Sequence, residues 1–214
     1  MEAAFWHDRW ASRQINFHEG EANRYLTEHW DTLALPNGSR VFVPLSGKTR
    51  DIPWLMSQGH AVVACELSQT AIDELFEDLG VVPTVTEHGA FRHHAIEGLD
   101  VFVGDVFALT PDVLAQVDAI YDRAAVVALP DAMRSDYAAH LAQITNLAPQ
   151  LVVAFEYEQA VMGGPPFAIW PKMMTALYGA NYDLELLDRS PVPGGLKGNS
   201  DVQETAWRLS PKVD

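Results

Sequence analysis

Three acidic positions and one base stand where short apolar runs end. Glu66 follows Ala61–Cys65, Asp105 follows Val101–Gly104, and the pair Asp122-Arg123 follows Asp118–Tyr121. A carboxylate at a strand tip can accept hydrogen bonds from a ribose diol. Asp105 can accept from the exocyclic amine of a purine while Val106 or Phe107 packs on its ring. Arg123 can hold an anion through charge-assisted hydrogen bonds, with Asp122 either orienting it or serving the fold. Each residue also has a plainer reading, Glu66 as a cap of the next helix and Asp105 as a turn aspartate. Three successive strands delivering polar groups to one edge favour a ligand site over unrelated surface residues.

The elements that must position these groups begin with Arg40–Ser68, which reads as strand, loop, helix, strand. Arg40–Pro44 is apolar and β-branched and breaks at Pro44-Leu45-Ser46-Gly47. Asp51–Gln58 has helical spacing with Gly59 as its stop, and Ala61–Cys65 is the kind of run that a parallel sheet buries on both faces. In such a unit the loop after the first strand lies where ligands of open α/β sheets bind. Gly47 lets backbone approach a ligand closely. Gly47-Lys48-Thr49 is not a phosphate loop, because the first glycine of that motif would fall on Phe42.

Further along, Ser68 caps a helix over Gln69–Leu79 that Gly80 ends. Thr84–His88 and the AFRHH run read as short strands. Their histidines, His88, His93 and His94, lack the cysteines or paired carboxylates of a metal site, so a solvated strand edge and no metal are expected. Pro130–Leu147 reads as a long helix and Leu151–Phe155 as a fifth parallel strand. The loop Met162–Phe167 forms a stiff apolar rim containing Pro165, Pro166 and Phe167. A helix over Trp170–Tyr178 precedes two strands, Tyr182–Arg189 and Gln203–Leu209, joined by the loop Ser190–Ser200. Upstream of all this, Met1–Trp30 is rich in aromatic and histidine residues, with Trp6 and Trp10 on one helical face. It is either an amphipathic helix packed on the body or a lid over the sheet edge.

The chain has 214 residues, 48% of them hydrophobic, enough for one well-packed domain over 1–214. Its net charge of −15 makes nucleic acid and anionic membranes poor partners. The single cysteine, Cys65, reads as a packed thiol. With no signal-peptide core in MEAAFWHDRW and no run of spanning length, a soluble, cytoplasmic protein is expected. A monomer acting on a small molecule fits these features.

These blocks, taken in order, resemble the thiopurine S-methyltransferase family of class I S-adenosylmethionine-dependent methyltransferases. The likeness runs nearly end to end through FWHDRW, Phe17-His18, VFVPLSGKTRD, CELS, GDVFAL, YDRAAVVAL, YAAHL and GPPF. It implies a Rossmann-like α/β fold with a mostly parallel seven-stranded sheet, a C-terminal antiparallel hairpin, and residues 1–30 as an N-terminal helical lid. It also implies that S-adenosyl-L-methionine, leaving as S-adenosylhomocysteine, sits against Trp10, Leu45, Gly47, Glu66, Asp105, Val106 and Arg123. The acceptor would lie by Phe17, His18, Arg123, Pro165, Pro166 and Phe167.

Where the resemblance implies Arg123 as the catalytic anchor of a thiolate, His18 is either a proton acceptor or a packed lid residue. Ser46 and Cys65 depart mildly from the family pattern. The loop Ser190–Ser200 departs more, because Lys197 is its only base where relatives can present a second arginine. Thiopurines or aromatic thiols are the implied acceptors. Metabolites of selenium or tellurium, in metalloid detoxification, are an alternative from the same resemblance. A non-catalytic adenosyl sensor and a nicotinamide oxidoreductase are the other readings; the single-glycine loop and terminal hairpin disfavour the last.

Overall fold

Apolar, β-branched runs and amphipathic stretches alternate along the chain, and the computed structural model folds them into one twisted sheet covered on both faces. Residues 3–15 and 18–213 are described. The strands are β1 (Arg40–Pro44), β2 (Ala61–Glu66), β3 (Thr84–His88), β4 (Phe91–Ile96), β5 (Leu99–Val103), β6 (Ala119–Arg123), β7 (Gln150–Glu156), β8 (Tyr182–Pro191) and β9 (Gln203–Pro211). The helices are α1 (Ala3–Ala11), α2 (Arg24–His29), α3 (Asp51–Ser57), α4 (Gln69–Leu79), α5 (Pro111–Leu114), α6 (Asp131–Ile144) and α7 (Pro171–Tyr178).

The sheet order is β3-β4-β5-β2-β1-β6-β7-β9-β8. β5, β2, β1, β6 and β7 are parallel, and β9 and β8 close one end antiparallel. The expected seven strands are all present. The sheet has nine because β3 and β4 pair antiparallel beyond β5, extending its edge. β4 buries Phe91 and His94. β3 is exposed along its whole length.

Side-chain alternation splits the core between the two sheet faces. Phe42, Val63, Phe102, Ile120 and Val152 pack on one side with α6 and α7 residues such as Leu141 and Met174. Val41, Val43, Val62, Tyr121 and Val153 pack on the other with Tyr25, Ile52 and Ile72 from α2, α3 and α4. Local signals set the helix ends. Ser68 accepts from the Ala71 N–H at 3.3 Å to cap α4, and Gly80 stops it in the left-handed region at φ 67°. α6 starts after Pro130 and ends at Ile144, three residues before the apolar pattern runs out, because Asn146 and Leu147 take positive φ.

Register then brings the strand tips level. Pro44 pairs with Cys65, and Glu66 with Val103, so Leu45, Glu66 and Gly104 reach one edge together. Phe42 pairs with Ile120, and the same number of steps along each strand leads to Leu45 and Arg123. Chain order reverses between β1 and β6, which is the switch point where open α/β sheets bind ligands.

Candidate functional site

At that switch point lies a cavity of about 500 Å³, walled by the tips of β1, β2, β5 and β6, by α1, and by two loops. Three residues on its wall hold strained backbone: Leu45 at φ 48° after β1, Ala124 at φ 61° after β6 and Lys197 at φ 50° in the β8–β9 loop. A bulky side chain in the left-handed region costs energy that the surrounding structure must offset, and such strain gathers at ligand sites. Gly47, at φ 53°, completes the β1 loop.

Glu66 is held rigidly at the β2 tip. Its Oε2 accepts from the Gly47 N–H at 2.8 Å and its Oε1 from the Ser68 N–H at 2.8 Å. Burial pushes its pKa up, and the backbone donors of Ser68, Gly47 and Leu67 pull the other way. Two bonds leave acceptor capacity on a carboxylate. Ser68, not Glu66, caps α4, so the acid organises the loop and still faces the cavity.

Asp105 is a turn aspartate that also borders the cavity. One oxygen accepts from the Phe107 N–H at 3.0 Å, fixing the turn Val106–Ala108, while the exposed side chain lines the cavity. Val106 is buried beside it, its carbonyl 2.8 Å from His140 Nε2. Trp10, 4% exposed, reaches over from α1. Its Cζ2 would lie 3.1 Å from a Cβ built on Gly47, so glycine there makes room for the indole. The carboxylates of Glu66 and Asp105, the apolar Val106, Gly47 of the β1 loop and the Trp10 indole thus line one cavity.

Arg123 lies on the same wall with its side chain 10% exposed, in an ion pair with Glu19. Burial works against its charge, but Glu19, Tyr121, Asp51 and Glu204 outweigh burial and raise its pKa. Asp122 does not orient it. That side chain, fully buried, accepts from the Val126 N–H at 3.0 Å and the Tyr137 O–H at 2.9 Å, and therefore serves the fold. Successive strand residues point to opposite faces, which is why neighbours in sequence part company here. Glu19 is the residue that sequence reasoning missed. It stands in a loop after α1, and nothing local marks it as a partner of a β6 arginine.

His18 also lines the cavity. Burial first, then Lys48, Arg50 and Arg123, lower its pKa against the opposing Asp78, so the ring is neutral near pH 7. Phe17 lies outside the described residues. Of the rim, Pro165 and Pro166 face the cavity, whereas the Phe167 ring packs under the Arg134 guanidinium at 5.3 Å and is not part of the wall. Three bases not assigned to the site from sequence, Arg9 of α1, Lys48 of the β1 loop and Lys197 of the β8–β9 loop, do reach it.

The histidines expected at a solvated edge differ among themselves. His88 is exposed, His93 sits 2.8 Å from Asp100, and His94 is buried against Phe76. Among the described residues one group, Glu28, His29 and Asp188, brings three metal-competent atoms within 4.8 Å, and none of the three lines the cavity. Cys65 is buried, as expected, and burial raises its thiol pKa well above the ordinary value. No helix among the described residues is long and apolar enough to cross a membrane.

Comparison with known proteins extends this picture. A family model described as thiopurine S-methyltransferase matches residues 1–209. The chain is 54% identical to a thiopurine S-methyltransferase of Xanthobacter autotrophicus, over 98% of this chain and 99% of that protein. It is 45% identical to one of Teredinibacter turnerae over the full length of each. Among solved structures, a Burkholderia thailandensis 1,6-didemethyltoxoflavin-N1-methyltransferase with bound S-adenosylhomocysteine aligns with a TM-score of 0.67 at 16% identity, over 99% of this chain and 87% of that one. A TehB-like methyltransferase of Corynebacterium glutamicum aligns at 0.56 and 14% identity, over 98% of each.

Proposed function

This chain belongs to the thiopurine S-methyltransferase family and is an S-adenosylmethionine-dependent methyltransferase, and from that premise we propose that it methylates small aromatic or heterocyclic thiols, thiopurines among them. The observation that carries the acceptor class is the placement of Arg123. A nearly buried guanidinium faces the same cavity as Glu66 and Trp10, so an anion can be held beside an adenosyl ligand.

When bound, S-adenosylmethionine supplies an electrophilic methyl whose transfer to a thiolate leaves S-adenosylhomocysteine and a thioether. In this reading Glu66 binds the ribose hydroxyls, Asp105 and Val106 bind the adenine, and the Leu45–Gly47 loop takes the methionine end. Trp10 closes over them as part of a lid formed by α1, excluding water, whereas α2, within the 1–30 segment expected as lid, packs Tyr25 and Leu26 into the core. Arg123 holds the acceptor thiolate by charge-assisted hydrogen bonds, exchanging Glu19 for the incoming anion. An acidic thiol needs no strong base, and His18, neutral and within the cavity wall, takes up a proton where the thiol arrives unionised. Orientation to about 3–3.5 Å between reacting atoms supplies much of the rate. Pro165 and Pro166 wall the acceptor ring.

The test is methyl transfer from labelled S-adenosylmethionine to 6-mercaptopurine, with S-adenosylhomocysteine binding followed by calorimetry in the same preparation. Binding together with turnover is expected. Binding without turnover of 6-mercaptopurine or thiophenol overturns the acceptor class.

A further inference from the structure

Four bases line the cavity, and they divide into two kinds. Lys48 is neutralised by Glu74 at 2.9 Å and Asp78 at 3.3 Å, and Arg123 by Glu19. Arg9 and Lys197 have no carboxylate within ion-pair distance among the described residues. The half-buried Arg9 guanidinium donates to the Gln14 side chain and lies over the Phe5 ring at 4.9 Å. The Lys197 ammonium donates to the Pro165 carbonyl on the cavity rim, from a residue whose backbone is itself strained at φ 50°. Acid is not scarce in this chain, which has 29 Asp and Glu against 14 Lys and Arg. Two cations are nonetheless left with only neutral partners on one cavity, one delivered by α1 and the other by the β8–β9 loop.

The two feel each other. Burial, and then the charge of Arg9, lower the Lys197 pKa, with no acid acting to raise it. An anion placed between the two elements would relieve that repulsion and bridge them across the cavity mouth. The same wall offers Trp6, Phe155, Pro166 and Leu196 as apolar surface for a ring. We propose that Arg9 and Lys197 form a subsite for a second anionic group on the methyl acceptor, and that the acceptor class is aromatic thiols carrying a carboxylate. This rests on the thiol reading above, with Arg123 taking the sulfur and the Arg9–Lys197 pair taking the carboxylate. It adds no covalent step.

The probes are thiophenol and 2-, 3- and 4-mercaptobenzoate, compared by kcat/KM in the wild type and in Lys197→Ala, Lys197→Glu and Arg9→Gln. S-adenosylhomocysteine affinity is measured for each protein. The best mercaptobenzoate is expected to exceed thiophenol on the order of tenfold, the scale of one charge-assisted contact. That ratio should collapse in Lys197→Ala and Arg9→Gln and invert in Lys197→Glu, with the change carried by KM. A wild-type enzyme that methylates thiophenol and prefers no mercaptobenzoate overturns the inference and leaves the thiol reading standing. Variants with an unchanged ratio, or with S-adenosylhomocysteine affinity reduced as much as the ratio, also overturn it; the second result places the pair on the cofactor's carboxylate. No turnover of any thiol overturns the thiol reading and this inference together.

Discussion

Glu66 and Arg123 are both charged, both at the tips of the parallel strands that flank β1, and held by opposite means. Backbone amides fix Glu66, so its geometry does not depend on any other side chain. Arg123 is balanced by Glu19, whose carboxylate can leave. This difference separates their variants. Glu66→Gln keeps the shape but loses charge and an acceptor, and should weaken S-adenosylhomocysteine binding about 10- to 100-fold, the range expected when charged hydrogen bonds are lost. Calorimetry checks it. Arg123→Ala should lower kcat/KM for 6-mercaptopurine by a similar factor while changing S-adenosylhomocysteine affinity less; equal losses of both would remove it from the acceptor. Glu19→Gln should move KM the other way, downward, because the thiolate no longer competes with an internal carboxylate. The strand-tip acids were legible in the sequence because an apolar run followed at once by a charge has few other uses. Glu19 was not legible, since an ion pair between a loop and a distant strand leaves no periodic trace.

At the scale of elements, α1 stands apart from the rest. Trp10 is buried, yet it belongs to neither of the two main core clusters on the sheet faces. The residues it covers are Gly47 and the cavity rather than core side chains, and Arg13 just beyond it meets Glu74 of α4 at 3.5 Å. An element attached this way opens locally without global unfolding. Trp10→Ala should therefore weaken S-adenosylhomocysteine binding and speed amide exchange over residues 3–11. Its urea midpoint should shift far less than the 3–5 kcal/mol typical of a core Trp→Ala change. A drop of that full size would make α1 part of the core and not a lid. The parallel strands and α4 were read nearly to the residue, because buried runs and caps are local signals. The β3–β4 extension was visible only as alternation, and its effect on the strand count depended on which edge it joined, a non-local fact. Phe167 failed for a related reason. Its place in a rim was legible, but the face it turns is set by Arg134, which packs on it from α6.

Over the whole molecule, buried acids and net charge push stability in one direction with pH. Burial raises the Asp122 pKa to about 6 and that of Glu204 to about 7, and raises Glu66 as well. A carboxyl whose folded pKa lies above its unfolded value holds a proton that the unfolded chain has already released. Stability is then lost as pH rises from the unfolded pKa through the folded one. For Asp122 that window runs from about 4 to 6, and its full size is about 2–3 kcal/mol; for Glu204 it extends to about 7. His18 and His94 oppose this, since burial lowers their pKa values and the folded state gains as pH rises towards the ordinary histidine value of 6.5. The His18 ring is only half-buried and Asp73 offsets part of the burial effect at His94, whereas Asp122 and Glu204 are raised to about 6 and about 7, so the acids should prevail. Self-repulsion of a chain at −15 acts in the same direction above its pI of about 4.7. The urea midpoint should consequently be highest near pH 5 and fall towards pH 8, and added salt should recover only the part due to surface repulsion. Asp122→Asn and Glu204→Gln should each flatten the curve within their own windows. A midpoint that rises from pH 5 to 8 would mean that the histidines dominate, and that Asp122 keeps its charge in the fold through its bonds to Val126 and Tyr137.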